Sequence, residues 1–370
     1  MASMTVEQIR RARLDAPRLS RVLVVLMLAL VGSSAQAEEV WPPLPAADSG
    51  WDWARLDTGE IIKGEVIVVQ QEVMSFDSDN FDELDIDWED VIELRLARPR
   101  VFRFKGDRIY VGMGELRDGT ITVVTPQHGS LEFPADELLS IVYTSEEERR
   151  NWRIQVGANL AARSGNTDQA DLTASAKVER RTSFTRSTTR YNGTFSETEG
   201  DRTANNHRMS TQFDVLLTDR LFLRVPYFEF FQDEFQNIDG RYTPGLGIGY
   251  EPIETALVEW RLTVGPAAQI TRFDDGEQDE DAAAVFGSEL SFDFPQDIDL
   301  DLIYRLQVIA TDPGKTNHAA SAVLSVEVWG PLDLDVGGYL DRIEEPERDS
   351  DGQRPNRNDF RLTVGLSLDF

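Results

Sequence analysis

Trp152-Arg-Ile-Gln-Val-Gly-Ala-Asn-Leu160 alternates with a period of two. Laid out as a strand, it puts Trp152, Ile154, Val156, Ala158 and Leu160 on one face and Arg153, Gln155, Gly157 and Asn159 on the other. The pattern returns in Leu172, Ala174, Ala176 and Val178 opposite Asp171, Thr173, Ser175, Lys177 and Glu179. It returns again in Val258, Trp260, Leu262 and Val264 against Glu259, Arg261 and Thr263. A further case is Leu300, Leu302, Tyr304, Leu306 and Val308 against Asp299, Asp301, Arg305 and Gln307. Both faces of these strands meet a solvent, and the two solvents differ.

About twelve such strands are expected, near 151–162, 170–181, 185–196, 205–217, 221–231, 241–250, 256–270, 282–294, 299–310, 317–329, 332–341 and 359–370. About ten tilted residues cross a bilayer, and an even number returns the chain to the side it entered from. The third strand is weakly patterned. In the fifth, the apolar row changes phase at Pro226, from Leu221, Leu223 and Val225 to Phe228 and Phe230. A bulge there would keep those phenylalanines toward lipid and return Glu229 to the lumen.

The connections after the even strands are short: Thr182 to Phe184, Thr218 to Arg220, Glu251 to Glu254, Pro295 to Asp297 and Gly330-Pro331. The others are mostly long and polar, as in Glu197 to Ala204, Thr271 to Asp281 and Arg342 to Asn358. Such alternation belongs to a transmembrane barrel entered from the periplasm. An open sheet of twelve strands would leave two edges exposed. The expected fold is therefore all-β, an up-and-down antiparallel barrel over 151–370. The chain ends on Thr363-Val-Gly365-Leu-Ser-Leu368-Asp-Phe370, with Leu362, Val364, Leu366, Leu368 and Phe370 on one face. Thr363, Gly365, Leu368 and Phe370 resemble the signal by which outer-membrane proteins engage the barrel assembly machinery.

At the other end Arg10, Arg11, Arg13, Arg18 and Arg21 precede an apolar Val22 to Val31 and a small-x-small site, Ala35-Gln36-Ala37. This reads as a signal peptide over 1–37, with a stiff proline-containing linker over 38–50. Ten apolar residues are too few for a helical span. The remaining chain carries 32 basic and 64 acidic side chains, a net charge near −32, which excludes nucleic acid as a partner. With no cysteine, there is no disulfide, thiolate metal site or cysteine nucleophile.

Residues 51–145 follow another grammar, with two β-rich copies 47 to 50 residues apart. Gly64-Glu65-Val66, Met74-Ser75-Phe76 and Ile86 to Val91 match Gly114-Glu115-Leu116, Ile121-Thr122-Val123 and Phe133 to Leu138. Each copy is similar to an SH3-like or Sm-like barrel, giving a small periplasmic β domain. A charged junction, Ser145 to Arg150, separates it from the strands that follow.

The region from Trp152 onward resembles the salt-induced outer membrane protein family, a domain of unknown function. The likeness is carried by the Asn151-Trp152 strand, the loop Arg163-Ser-Gly-Asn-Thr167 and the end from Gly365 to Phe370. It implies the barrel and its location, and it brings no catalytic residue, ligand or cofactor. No cofactor is expected. The expected partners are outer-membrane lipid and lipopolysaccharide, the barrel assembly machinery, and peptidoglycan or a periplasmic protein beside the N-terminal copies.

Three constellations bear on chemistry. His318 lies near Ser321, the pair that a rim-located membrane esterase would need, but no third residue to orient the imidazole is evident. His128 and His207 stand alone. Asp274, Asp275, Glu277, Asp279 and Asp281 are dense enough to hold Ca²⁺ or Mg²⁺, although the spacing is not that of an EF-hand and solvated acids explain it as well. The lumen row mixes signs, with Arg153, Lys177, Glu179, Arg190, Glu259, Arg261, Asp301 and Arg305 among its members. Twelve strands lie between the filled interiors of eight and the open channels of sixteen. Mixed charges there line a narrow passage for small solutes or ions, or pair off and close it. The first gives a non-enzymatic passage or envelope protein, and the second a plugged barrel that anchors the N-terminal copies.

Overall fold

The computed structural model describes Leu44 and residues 50–79, 82–163, 169–294, 297–348 and 354–369. The expected signal peptide, most of the expected linker, the loop residues Ser164 to Thr167 and the terminal Phe370 lie outside the described residues.

The first copy of the repeat comprises β1 (Asp52–Leu56), β2 (Ile61–Gln70), β3 (Val73–Ser78), β4 (Asp82–Asp87) and β5 (Val91–Arg95). The second comprises β6 (Arg100–Phe104), β7 (Arg108–Arg117), β8 (Thr120–Thr125), β9 (Gly129–Pro134) and β10 (Leu138–Val142). Within each copy the strands lie in the order fifth, first, second, third, fourth. Equivalent backbone bonds recur: Trp88 N–H donates to Glu72 O at 2.8 Å, and Ala135 N–H to Gly119 O at 2.9 Å. The hairpin turns Gln71-Glu72 and Asp118-Gly119 all take positive φ, as two-residue hairpins of this hand require.

The two copies complete one another. β5 pairs with β7 and β10 pairs with β2, so β1-β5-β7-β6-β10-β2 runs round to β1 as a ring. One core holds side chains of both, among them Met74, Phe76, Phe102, Phe104, Ile121 and Ile141. The first of the three expected matches in the repeat shifts by two residues. Gly64 corresponds to Gly112, not Gly114, because a Cβ at either would press on a carbonyl of the next strand, Asp77 O or Val124 O. The pairing of β2 with β3 slips between Val66 and Val68, and this irregularity obscures the match in the sequence.

The barrel comprises β11 (Trp152–Arg163), β12 (Gln169–Arg181), β13 (Thr185–Thr198), β14 (Asp201–Leu216), β15 (Leu221–Asp233) and β16 (Ile238–Glu254). It continues through β17 (Val258–Phe273), β18 (Gln278–Phe294), β19 (Ile298–Ile309), β20 (Asn317–Trp329), β21 (Leu332–Ile343) and β22 (Asn358–Asp369). Neighbours pair antiparallel, and β22 pairs with β11 to close the ring. Every expected strand is present. The turn expected at Glu251 to Glu254 lies instead at 255–257, because β16 continues until Glu251 is inside the barrel. The phase change at Pro226 appears as register shifts on both edges of β15, with Phe228 facing out and Glu229 buried inside.

Outward-facing Ile154, Leu172, Ile248, Val264, Phe286, Val308 and Val364 form an exposed apolar band, far more than a soluble monomer leaves in water. Trp152, Tyr250 and Trp329 stand at the short-turn end, where amphipathic rings suit a membrane interface. At the long-loop end, two outward pairs, Tyr191 with His207 and Tyr304 with His318, each share a 2.8 Å hydrogen bond.

Candidate functional site

The inward rows carry charge into the barrel, where a buried charge needs a partner of opposite sign. In the half nearer the short turns, Asp214 on β14 accepts from Arg224 at 2.7 and 2.9 Å and from Arg186 at 3.4 Å. Glu251 accepts from Arg186 and Arg261 at 2.7 Å each. Glu289 on β18 lies 3.1 Å from Arg190 and 3.4 Å from both Arg224 and Arg261. The ring of Phe222 lies beneath the Arg186 and Arg224 guanidiniums and fits against β16 because Gly249 has no Cβ, which would stand 2.0 Å from it.

Nearer the long loops, Glu229 accepts from Arg305 at 2.5 Å, from Arg208 and Gln307 at 2.8 Å each, and from the Tyr227 hydroxyl at 3.2 Å. Arg208 also donates to Asp341 on β21 at 2.6 Å, and Arg361 on β22 donates to Asn206 on β14. Among these links are chords across the barrel: Arg190 to Glu289, Arg305 to Glu229, Arg208 to Asp341 and Arg361 to Asn206. They divide the interior. On β14 to β17 most inward polar side chains are buried, including Asp214, Arg224, Glu229, Thr243, Glu251 and Gln269. On β20, β22, β11 and β12, inward Ser321, Ser325, Thr363, Gln155, Asn159, Thr173 and Ser175 keep partial access to water. Small polar side chains leave that side open, and long paired ones fill the other. At the short-turn end the open side carries Asp293, Asp301 and Asp335, half-exposed, and Asp299, exposed, with Lys177 of β12 close to Asp293 and Asp299.

The N-terminal sheet lies over the short-turn end. Arg103 on β6 donates to Ser183 O at 3.2 Å and Leu216 O at 3.0 Å, and it lies 4.1 Å from the Phe184 ring. Gln70 donates to Thr182 O at 2.9 Å, and Asp87 accepts from Ala256 N–H at 2.7 Å. The Gln71-Glu72 turn reaches the mouth itself: Gln71 Oε1 accepts from Arg186 at 2.8 Å and Glu72 pairs with Arg220 at 2.9 Å. The counterpart of this face in the first copy is bonded differently, although Arg103 too has a partner in its own sheet, Asp107 at 3.1 Å. Arg55 of the first copy occupies the place of Arg103, and Glu93 the place of Ser140. Arg55 therefore donates to Glu93 at 3.0 Å within its own sheet, and the equivalent turn, Asp118-Gly119, is exposed. Tyr143, beneath Arg100 at 4.3 Å, has its phenol pushed up to about 12 by burial.

The eight lumen charges expected from the sequence fall on inward positions of their strands: Arg153, Lys177, Glu179, Arg190, Glu259, Arg261, Asp301 and Arg305. Glu251, Gln71 and Arg103 were not among the expected site residues, for none stands out in the sequence from other turn or strand residues. The esterase pair does not form. His318 and Ser321 are three apart on β20, so their side chains leave opposite faces, and His318 contacts Tyr304 and Glu344. The acids of 274–281 do not converge either: Asp279 and Asp281 hold Lys315 at 2.6 and 3.6 Å, and Asp275 accepts from Glu277 N–H. Among the described residues, the carboxylates whose oxygens do converge, within 4.8 Å, are Glu251, Glu254 and Glu259. Thr363, Gly365 and Leu368 lie on β22 with Gly365 opposite Asp335.

No curated protein matches this chain. Among solved structures it is similar to the NanC porin, at 12% identity over 58% of this chain and 98% of that one, with a TM-score of 0.36. It is also similar to the translocator domain of the autotransporter NalP from Neisseria meningitidis, at 11% identity over 60% and 88%, with a TM-score of 0.35. The KdgM porin is similar at 10% identity over 59% and 99%, with a TM-score of 0.32. The family model described as "Protein of unknown function, DUF481" matches residues 154–370, the whole barrel but its first two residues. The chain belongs to that family, the salt-induced outer membrane proteins, and its matched part is an outer-membrane β-barrel.

Proposed function

We propose that this protein is a narrow, cation-preferring passage across the outer membrane, non-enzymatic, with its N-terminal sheet on the periplasmic side. The observation that carries the reading is the division of the lumen. Paired arginines and carboxylates close one side, while small polar side chains leave the other open to water. Asp293, Asp299, Asp301 and Asp335 line the open side's periplasmic end, where carboxylates that outnumber Lys177 concentrate cations and repel anions. Lipid and lipopolysaccharide surround the apolar band, and Thr363, Gly365, Leu368 and Phe370 serve as the assembly signal.

The test is conductance of the mature protein in a planar bilayer under a KCl gradient. Discrete steps with a reversal potential toward that of K⁺ are expected. A silent bilayer sinks the passage and favours the second reading, a shut barrel that holds the N-terminal sheet beside peptidoglycan or a protein. Ile109, Val111 and Val124, exposed on the second copy, support that alternative.

A further inference from the structure

We infer that the cleft between the N-terminal sheet and the β11–β12 edge of the barrel is the periplasmic port of the passage. The inference rests on the passage proposed above. The docked sheet covers the turns at 182–184, 217–220 and 255–257, which join β12 to β17 and lie mostly below the filled side of the lumen. A solute that descends the open side arrives beside β11 and β12. There a cleft of about 260 Å³ separates the two sheets. A water occupies roughly 30 Å³ of liquid, so a small cation fits with part of its hydration shell. Continuity comes from Glu179, which is an inward residue of β12 and also lines the cleft. Across from it the N-terminal sheet contributes Glu65, Asp77 and Glu83, so four carboxylates line the cleft against three arginines, Arg150, Arg153 and Arg181, and the walls keep a small acidic excess. Two ion pairs span the opening, Arg153 with Glu83 and Arg150 with Glu65. Both are partly exposed pairs, which exchange with water readily and do not seal a route.

The absence of native cysteine makes the test selective. In the full mature protein, Asn151→Cys and, separately, Glu83→Cys place one thiol in the cleft, and Gln127→Cys places one in the exposed β8–β9 turn. Asn151→Cys leaves both spanning ion pairs intact. A bulky cationic thiosulfonate is added from the periplasmic side during recording, with labelling confirmed by mass. At least a fivefold fall in conductance is expected for the two cleft variants and none for Gln127→Cys. Complete labelling of both cleft variants without a fall overturns the port and leaves the passage standing. A bilayer silent before any reagent is added overturns the passage and the port with it.

Discussion

Arg190 on β13 and Glu289 on β18 meet at 3.1 Å across the inside of the barrel, and Glu289 is at the same time within 3.4 Å of Arg224 and Arg261. One carboxylate thus gathers three guanidiniums drawn from three strands, two of which also pair with Asp214 or Glu251. Removing one partner of a buried ion cluster costs about 3–5 kcal/mol, because the charges left behind have lost the water that would otherwise hold them. Glu289→Ala is expected to lower the unfolding free energy of the barrel by about that amount. Urea titration in lipid vesicles, followed by tryptophan fluorescence, measures it, and an unchanged midpoint would show that the chord is idle.

Asp299 and Asp301 stand on the open side of the lumen, on β19. Asp299→Asn combined with Asp301→Asn removes two negative charges without changing volume. The reversal potential in a KCl gradient should move toward zero by at least half, with unit conductance little altered. A potential that does not move would place selectivity elsewhere.

Arg103 holds the N-terminal sheet to two backbone carbonyls of the barrel, and each hydrogen bond from a charged donor contributes about 1.5–3 kcal/mol. Arg103→Ala should make residues 52–142 cleavable about tenfold faster by added protease while the barrel keeps its heat-dependent shift in gel mobility. Arg55→Ala, the counterpart in the first copy, removes a bond within the sheet and should weaken the sheet without releasing it from the mouth. Equal behaviour of the two variants would contradict the assigned docking face.

Tyr143 has a phenol raised to about 12 by burial, above the value near 10 of an unfolded chain. The folded state therefore keeps its proton where the unfolded state has lost it. Stability from this group is complete below pH 10 and is lost as pH rises from 10 to about 12. The difference between 295 nm titrations of the protein and of Tyr143→Phe should isolate one phenol ionising late, and the variant should lose the matching alkaline loss of stability.

The barrel was legible because two solvents impose one rule on every strand. Even the interruption at Pro226 could be read, since Glu229 had to return inward. Which charges face the lumen followed from parity alone. Their pairing did not, because Arg190 and Glu289 are far apart in sequence and meet only where long side chains cross the interior. The aromatic Phe222 and Phe231 were hidden for a related reason, as inward rings shielding arginines they break the polar row. The repeat was visible in composition, and its register was obscured by the irregular pairing in β2. Nothing in Gln71 or Arg103 as residue types marked them as the docking contacts. Their role depends on Ser140 and Glu93: Arg55 is held by Glu93 on the paired strand, whereas Arg103, paired with the exposed Asp107 at 3.1 Å, keeps donors for the barrel's carbonyls.

The exchange of closing strands between the two copies, β5 onto β7 and β10 onto β2, has a temporal side. Ribosomes deliver the chain from its amino end, so the first copy is made before the strands that finish its sheet. Until Val142 has followed, the apolar residues of the first copy lack the strands that complete their shared core.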